Sequence, residues 1–342
     1  MVAGKYHEAH LNPKGPGDAR PTALQIIKDE GLEGRLTGKV VFVTGGLAGI
    51  GLETTRALHA TGATIFVGVR NVKKGQEAVE EILSADPSNK APIHIIEITL
   101  DHLASVRAAA AEFLKQSDKL NILILNAGVM STPEGRTVDG FETQFATNHL
   151  GHFLLFQLLK PTLIASATPE FNSRVVSVTS MGHRFSPIRF DDYNFDEKDS
   201  YHPLIAYGQS KTANIYLANY IDRHYGANGL HANSLHPGGI WTALMKHTSE
   251  EVLDQMKSDA VTMDYFKNPA QGAATSVYAA VSKDWEGKGG KYLSNCEVAG
   301  PFQKAINDLG VGDDGYAEWA YNEENEDRLW RDSCKFVGVE ED

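Results

Sequence analysis

Tyr207 and Lys211 stand four residues apart in the run Tyr207-Gly208-Gln209-Ser210-Lys211. On a helix that spacing puts both side chains on one face. A free phenol has a pKa near 10 and is roughly 0.1% ionised at neutral pH. An ammonium beside it favours the phenolate and would lower that pKa by about 1–3 units. Tyr207 would then work as a general acid and base on a carbonyl or alcohol oxygen. Chance supplies such a pair readily in a chain with 12 tyrosines, so its company matters. A second feature is the glycine turn Thr44-Gly45-Gly46-Leu47-Ala48-Gly49-Ile50-Gly51. It lies between an apolar run, Val40 to Val43, and a helical stretch reaching about Thr61. Glycines in that position let the backbone approach a pyrophosphate, and the helix start offers it free N–H groups. Taken alone, the same glycines also suit a tight turn that binds nothing.

These residues need elements to hold them together, and the chain supplies an alternation. Strand-like runs follow at 64–69, 93–98, 121–125, 174–179 and 230–235. Helix-like stretches lie between them at 72–84, 103–116, 140–166 and 204–225. Strands alternating with helices predict an α/β fold, a doubly wound parallel sheet covered on both faces. The unbroken apolar run Ile122-Leu123-Ile124-Leu125 fits a strand buried from both sides. Later come a helix at 270–283 and a last strand candidate at 291–293. No internal repeat or linker splits the core. The reading is one domain over 38–300 with extensions at 1–37 and 301–342. Residues 1–20 read as a mobile tail, and 22–30 as a short helix capped by Thr22 and ended by Gly31. From 312 onward 11 Asp/Glu stand against 3 Lys/Arg, which reads as a solvated acidic surface.

Composition sets outer limits. The formal net charge of -12 argues against a nucleic-acid binder, which needs a basic face. The two cysteines, Cys296 and Cys334, make no disulfide framework, so a reducing, cytoplasmic setting is expected. No basic-then-apolar leader, 18-residue apolar run or C-terminal targeting signal is read. His7-Glu8-Ala9-His10 departs from the zinc-binding His-Glu-x-x-His pattern, and no metal site is expected.

The second strand bears on the cofactor. Sites that take NAD place an acid near its end to bond the ribose hydroxyls. Here Val69 is followed by Arg70, Asn71, Lys73 and Lys74. A guanidinium at that point suits the 2′-phosphate of NADP(H) through a charge-assisted contact. Against this, position 48 in the glycine turn is Ala, so no second cation stands there.

Further motifs follow in order. Asn126-Ala127-Gly128 comes after the fourth strand, and Asn148-His149-Leu150-Gly151 lies on the next helix. Val178-Thr179-Ser180 ends the fifth strand, and His236-Pro237-Gly238-Gly239-Ile240-Trp241-Thr242 follows the sixth. With the glycine turn and the Tyr-Lys pair, this order over about residues 38–300 resembles the short-chain dehydrogenase/reductase family. Val69-Arg70-Asn71, Leu103-Ala-Ser-Val-Arg107 and Asn148-His-Leu-Gly-His-Phe153 resemble its retinol-dehydrogenase-like branch.

The resemblance implies a Rossmann-type sheet and an NADP(H)-dependent oxidoreductase that interconverts a carbonyl and an alcohol. It implies a catalytic set of Asn148, Ser180, Tyr207 and Lys211. In that set Tyr207 is the acid/base, and Lys211 holds the nicotinamide ribose and shifts the Tyr pKa. Ser180 bonds the substrate oxygen, and Asn148 completes a water-linked proton relay. It assigns cofactor contacts to Gly45, Leu47, Gly49, Ile50 and Gly51 of the turn, and to Asn126, Ala127 and Gly128. Tyr207, Lys211, Pro237, Gly238, Ile240 and Thr242 complete the nicotinamide end. Aligning on Leu103-Ala-Ser-Val puts Thr99 and Leu100 at the adenine contact, while a two-residue slide would put Asp101 there. The branch's substrates are bulky and apolar, and the family's association through its two long helices allows a homo-oligomer.

Two aromatic clusters fit such a substrate or simply pack as loops. One holds Phe185, Phe190, Tyr193, Phe195 and Tyr201; the other holds Trp241, Leu244, Met245, Met256, Met263, Tyr265 and Phe266. His149, His152 and both cysteines read as packing residues. Two other functions stay open at this point. One is an isomerase, epimerase or cyclase on the same scaffold without net redox turnover. The other is a non-catalytic nucleotide-sensing module.

Overall fold

The structure is a computed structural model and describes residues 4–307 and 310–341. At its centre is an eight-stranded sheet in the order β3-β2-β1-β4-β5-β6-β7-β8. The strands are β1 Val40–Thr44, β2 Thr64–Val69, β3 Ile93–Glu97, β4 Ile122–Leu125, β5 Ser173–Val178, β6 Leu230–His236, β7 Tyr292–Ser294 and β8 Glu297–Val298. The first seven pair in parallel, so the fold is the Rossmann-type sheet the alternation predicts. β8 turns back antiparallel on β7 through Asn295 and Cys296, both at positive φ. A two-residue turn of that kind matches the strand twist. Asn295 suits the first position of such a turn, but Cys296 stands where glycine is usual, so the pair does not announce it.

Eight helices cover the faces or the edge: α1 Ala23–Asp29, α2 Gly49–His59, α3 Val72–Ala85, α4 Leu103–Gln116, α5 Gly151–Ser166, α6 Pro203–Tyr225, α7 Ala274–Val281 and α8 Glu323–Val337. Successive strand residues point to opposite faces, so β1 sends Phe42 one way and Val41 and Val43 the other. Phe42, Leu123 and Val175 meet Phe113 of α4, Phe153 and Phe156 of α5, and Leu217 and Ile221 of α6. Val41, Val43, Ile124 and Val176 meet Leu58 of α2, Ile27 of α1 and Val277 of α7. The strand order reverses between β1 and β4, and their carboxyl ends open the crevice where such sheets bind ligands.

Four local readings change. The helix expected over 140–166 begins at Thr143, where the Glu142 carboxylate accepts from the Gln144 and Phe145 N–H groups. It widens to a π segment over Ala146–Leu150 before α5 starts at Gly151. The helix expected over 270–283 breaks at Ala273 into Pro269–Gly272 and α7.

The N-terminal segment, expected to be a loose tail, is docked. Arg20 is buried and donates to the carbonyl oxygens of Gly15, Tyr265 and Phe266. Gln271 holds Gly17 and Asp18. The acidic C-terminal stretch is solvated on one side only. Leu329, Trp330, Cys334 and Val337 of α8 are buried against the long helices. The Trp330 ring stacks on Tyr220 at 3.8 Å and meets Phe153 edge-on at 4.9 Å. This helix therefore covers part of the α5–α6 face.

Candidate active site

The glycine turn lies at the carboxyl end of β1. Gly45 and Gly49 take φ of 63° and 50°, a region that favours glycine. A Cβ at Gly51 would run into the Gly45 carbonyl oxygen. Ala48 caps α2, and no side chain bonds the N–H groups at the helix start. That combination of an uncapped helix end and a cradle free of side chains fits a dinucleotide's phosphates. Thr242 reaches over the turn, its methyl 3.3 Å from where a Gly49 Cβ would stand. Ile240 and Ile50 lie side by side above Gly272. Gly238 takes φ of 104°, and the Lys267 ammonium donates to Pro237 O at 3.4 Å.

The loop after β4 is tied to this turn. Asn126 Nδ2 donates to Thr44 O at 2.9 Å. The main-chain N–H groups of Asn126 and Ala127 both donate to Thr44 Oγ1. The Ala127 N–H, which the resemblance counts among the cofactor contacts, is therefore held by Thr44. Leu47 turns toward α3, 3.4 Å from the Cβ position of Gly75, and serves as packing. Arg70 is exposed at the end of β2 and forms no ion pair among the described residues. Lys73 and Lys74 are exposed beside it. Thr99 and Leu100 follow β3; the Thr99 N–H donates to Ser105 Oγ at 2.9 Å, and Leu100 is buried.

The four chemical residues converge at the carboxyl ends of β4 and β5. Ser180 begins the tight turn Met181–Phe185, its Oγ accepting from Gly182 N at 3.0 Å. The Tyr207 ring lies against Gly182, where a Cβ would collide with it. The Ser180 hydroxyl also faces the Tyr207 phenol and favours its phenolate form. Lys211 Nζ donates to Val178 O at 3.2 Å and lies 5.6 Å from the centre of the Tyr207 ring. A Cβ at Gly128 would stand 3.1 Å from Asn148 Oδ1 and 3.4 Å from Lys211 Nζ, so the two meet there.

Burial sets the electrostatics. Tyr207 is pushed up to about 12 by burial, which the Ser180 hydrogen bond only partly offsets. The lowered phenol expected from the Lys211 charge is not what the structure gives. The reason is the burial of the phenol itself, and burial also pushes Lys211 down, to about 8. A desolvated ammonium gives up its proton more readily, and here it is turned toward a backbone carbonyl.

Asn148 also differs from expectation. Its Nδ2 donates to Val129 O and to Ser210 Oγ, while its Oδ1 accepts from Val129 N. Both side-chain N–H groups are engaged, so the amide acts as a strut between the β4 loop and α6. Ser210 Oγ passes the contact on to Tyr207 O at 2.8 Å.

Sequence reasoning missed Ser210 and gave His152 only a packing role. His152 Nδ1 bonds Asn148 O at 3.0 Å, and its Nε2 meets Thr44 Oγ1 at 2.8 Å. It thereby joins the π segment to the glycine turn. Its place in Asn148-His-Leu-Gly-His152 was the available signal, one helical turn beyond Asn148. Among the described residues no group of His, Cys, Asp and Glu could hold a metal. No helix among them is long and apolar enough to cross a membrane.

The short chain dehydrogenase family model matches residues 39–194. The chain is 47% identical over 338 residues to the short-chain dehydrogenase/reductase prx1 of Penicillium roqueforti, covering 99% of this chain and 96% of that one. This protein belongs to the short-chain dehydrogenase/reductase family. It is also similar to mouse (Mus musculus) retinol dehydrogenase 12, at 36% identity over 90% of this chain and 88% of that one. A solved structure from Mycobacterium paratuberculosis, described as a putative uncharacterized protein, superposes with a TM-score of 0.64 at 30% identity. That match covers 89% of this chain and 95% of the other. The protein is thus an oxidoreductase of a family that uses NAD(P)(H).

Proposed function

We propose that the protein interconverts a carbonyl and an alcohol on a bulky apolar metabolite, using NADP(H). The observation that carries this reading is the convergence of Ser180, Tyr207 and Lys211 beside an uncapped helix start. The bound nicotinamide would supply or take up the hydride. The chain's residues handle the proton and the positions. Tyr207 holds its proton at Oη, kept there by burial, and gives it to the substrate oxygen as the carbonyl is reduced. Ser180 Oγ bonds the same oxygen and stabilises its developing charge. Lys211, which meets Asn148 beside Gly128, would hold the nicotinamide ribose.

The guanidinium of Arg70, exposed and without an ion pair among the described residues, supports NADP(H) over NAD(H). Trp241 stacked on Phe266 at 4.4 Å, and Phe185, which is 49% exposed, support an apolar substrate. The test is to mix the protein with NADPH and a panel of apolar aldehydes and ketones. Nicotinamide absorbance and product mass are followed together. Absorbance loss with a gain of two hydrogens is the expected result. A rearranged product of unchanged mass, formed with no absorbance loss, would overturn the redox assignment.

A further inference from the structure

The peptide group joining Ser180 to Met181 is gripped on both of its polar atoms by buried histidines. On one side His183 Nδ1 bonds Ser180 O at 2.6 Å. On the other, Met181 N–H donates to His236 Nδ1 at 3.2 Å. Each imidazole has a second nitrogen, and each of those faces the same distant segment. His183 Nε2 accepts from the Ala317 N–H at 3.0 Å. His236 Nε2 faces Asp314 Oδ1 at 3.7 Å.

These partners dictate the protons. The Ala317 N–H can only donate, so His183 Nε2 is bare and Nδ1–H donates to Ser180 O. The Met181 N–H can only donate, so His236 Nδ1 is bare and Nε2–H points at the Asp314 carboxylate. The two rings are thus fixed in opposite tautomers by segments far apart in sequence. Both rings are buried.

The segment is itself firmly held. Asp314 Oδ2 accepts from Ser294 Oγ at 2.8 Å and from Asn295 Nδ2 at 2.9 Å. Arg184, in the turn after Ser180, donates to Asp313 O and Gly310 O. Trp319 Nε1 donates to His183 O at 3.3 Å. No other role in the proposed chemistry uses these contacts.

We propose that the C-terminal segment Asp313–Trp319 is a positioning element for Ser180, acting through His183 and His236 on the Ser180–Met181 peptide plane. The inference rests on the reading of Ser180 as the hydroxyl that meets the substrate oxygen. It adds residues beyond the catalytic set, which act on Ser180 through the two imidazoles and take no part in the proposed proton transfer. A small rotation of that peptide plane moves the serine side chain relative to Tyr207, and misplacement by about 1 Å can cost 100-fold in rate.

The test is a double-mutant cycle with NADPH and decanal, or with the panel aldehyde reduced fastest. Ala317 has φ of −69°, which proline shares, so Ala317→Pro removes the N–H without forcing the backbone there. Asp314→Asn is the second variant and addresses the other ring. Each is made in the native chain and in Ser180→Ala, with Tm and NADPH affinity recorded. Ala317→Pro is expected to lower kcat about 10–100-fold in the native chain, with NADPH affinity unchanged. In Ser180→Ala it is expected to change kcat less than about twofold, because both act through one hydroxyl. Asp314→Asn is expected to behave likewise with a smaller loss, and it carries the test if Ala317→Pro does not fold. Equal losses in both backgrounds, or unchanged kcat in the native chain, would overturn the proposal. A fully active Ser180→Ala protein would instead overturn the role of Ser180 on which it rests.

Discussion

At the dinucleotide end of the site the chain leaves backbone groups open, while at the serine end it closes them. The turn Gly45–Gly51 carries no side-chain cap and keeps Cβ atoms out of its cradle. Its own bonds are few: the Gly45 N–H donates to Gly68 O, and the Gly45 and Gly46 carbonyls accept from Asn126 Nδ2 and Thr55 Oγ1. Around Ser180 the peptide's oxygen and N–H are both taken by imidazoles, backed by residues more than a hundred positions along the chain. The difference follows from what each end must do. A phosphate needs donors with no competing partner. A hydroxyl that aims at one substrate oxygen needs a fixed direction, which only a closed network supplies.

Variants can separate the two ends. Trp330→Ala removes the ring wedged against Tyr220 and Phe153, and should cost about 3–5 kcal/mol of stability. Denaturant melts should show that loss while NADPH affinity stays within about threefold, since the glycine turn is untouched. A parallel loss of NADPH affinity would mean the two ends are not independent.

Acid should act on the closed network. Burial pushes His183 and His236 down to about 4, and His149 and His152 to about 3, from an ordinary value of 6.5. The unfolded chain takes up these protons first, so their contribution is complete above pH 6.5 and declines as pH falls toward 4. By pH 5 the loss is at most about 2 kcal/mol for each ring. Tm measured at pH 7 and pH 5 should fall clearly; equal values would contradict neutral burial of these histidines.

Smaller changes are expected at the open end. Gly51→Ala pushes a methyl into the Gly45 carbonyl, an overpacking of about 1–3 kcal/mol. NADPH affinity should drop by about 10–100-fold, with a smaller change in Tm. Arg70→Ala should reduce the NADPH/NADH affinity ratio by about tenfold. An unchanged ratio would remove Arg70 from cofactor selection.

The open end was also the more legible one. Strand, glycine turn and helix are consecutive in sequence, so Val40 to Thr61 announces its own geometry. The convergence of Ser180, Tyr207 and Lys211 needed the sheet, but the alternation of strands and helices predicted that sheet. What stayed hidden depends on tertiary contact. Nothing near Ala317 or Asp314 marks them as partners of His183 and His236, since polar residues in an acidic stretch read as surface. Trp330 stands three and four residues before Ser333 and Cys334, Leu329 stands four before Ser333, and all are buried on one face. The charge count of the C-terminal stretch masked that stripe. The π segment at Ala146–Leu150 was hidden for another reason: its residue types do not separate a π turn from an α turn, and Asn148 within it bonds Val129 across the fold.

On the proposed mechanism Tyr207 supplies the proton within an otherwise intact nicotinamide site. Tyr207→Phe removes only the phenolic oxygen, so one preparation can be assayed for NADPH binding by fluorescence and for aldehyde reduction by absorbance. NADPH affinity unchanged within about threefold, with kcat lowered about 100–10,000-fold, is the predicted result. A Tyr207→Phe protein that reduces the aldehyde at the native rate would contradict the account.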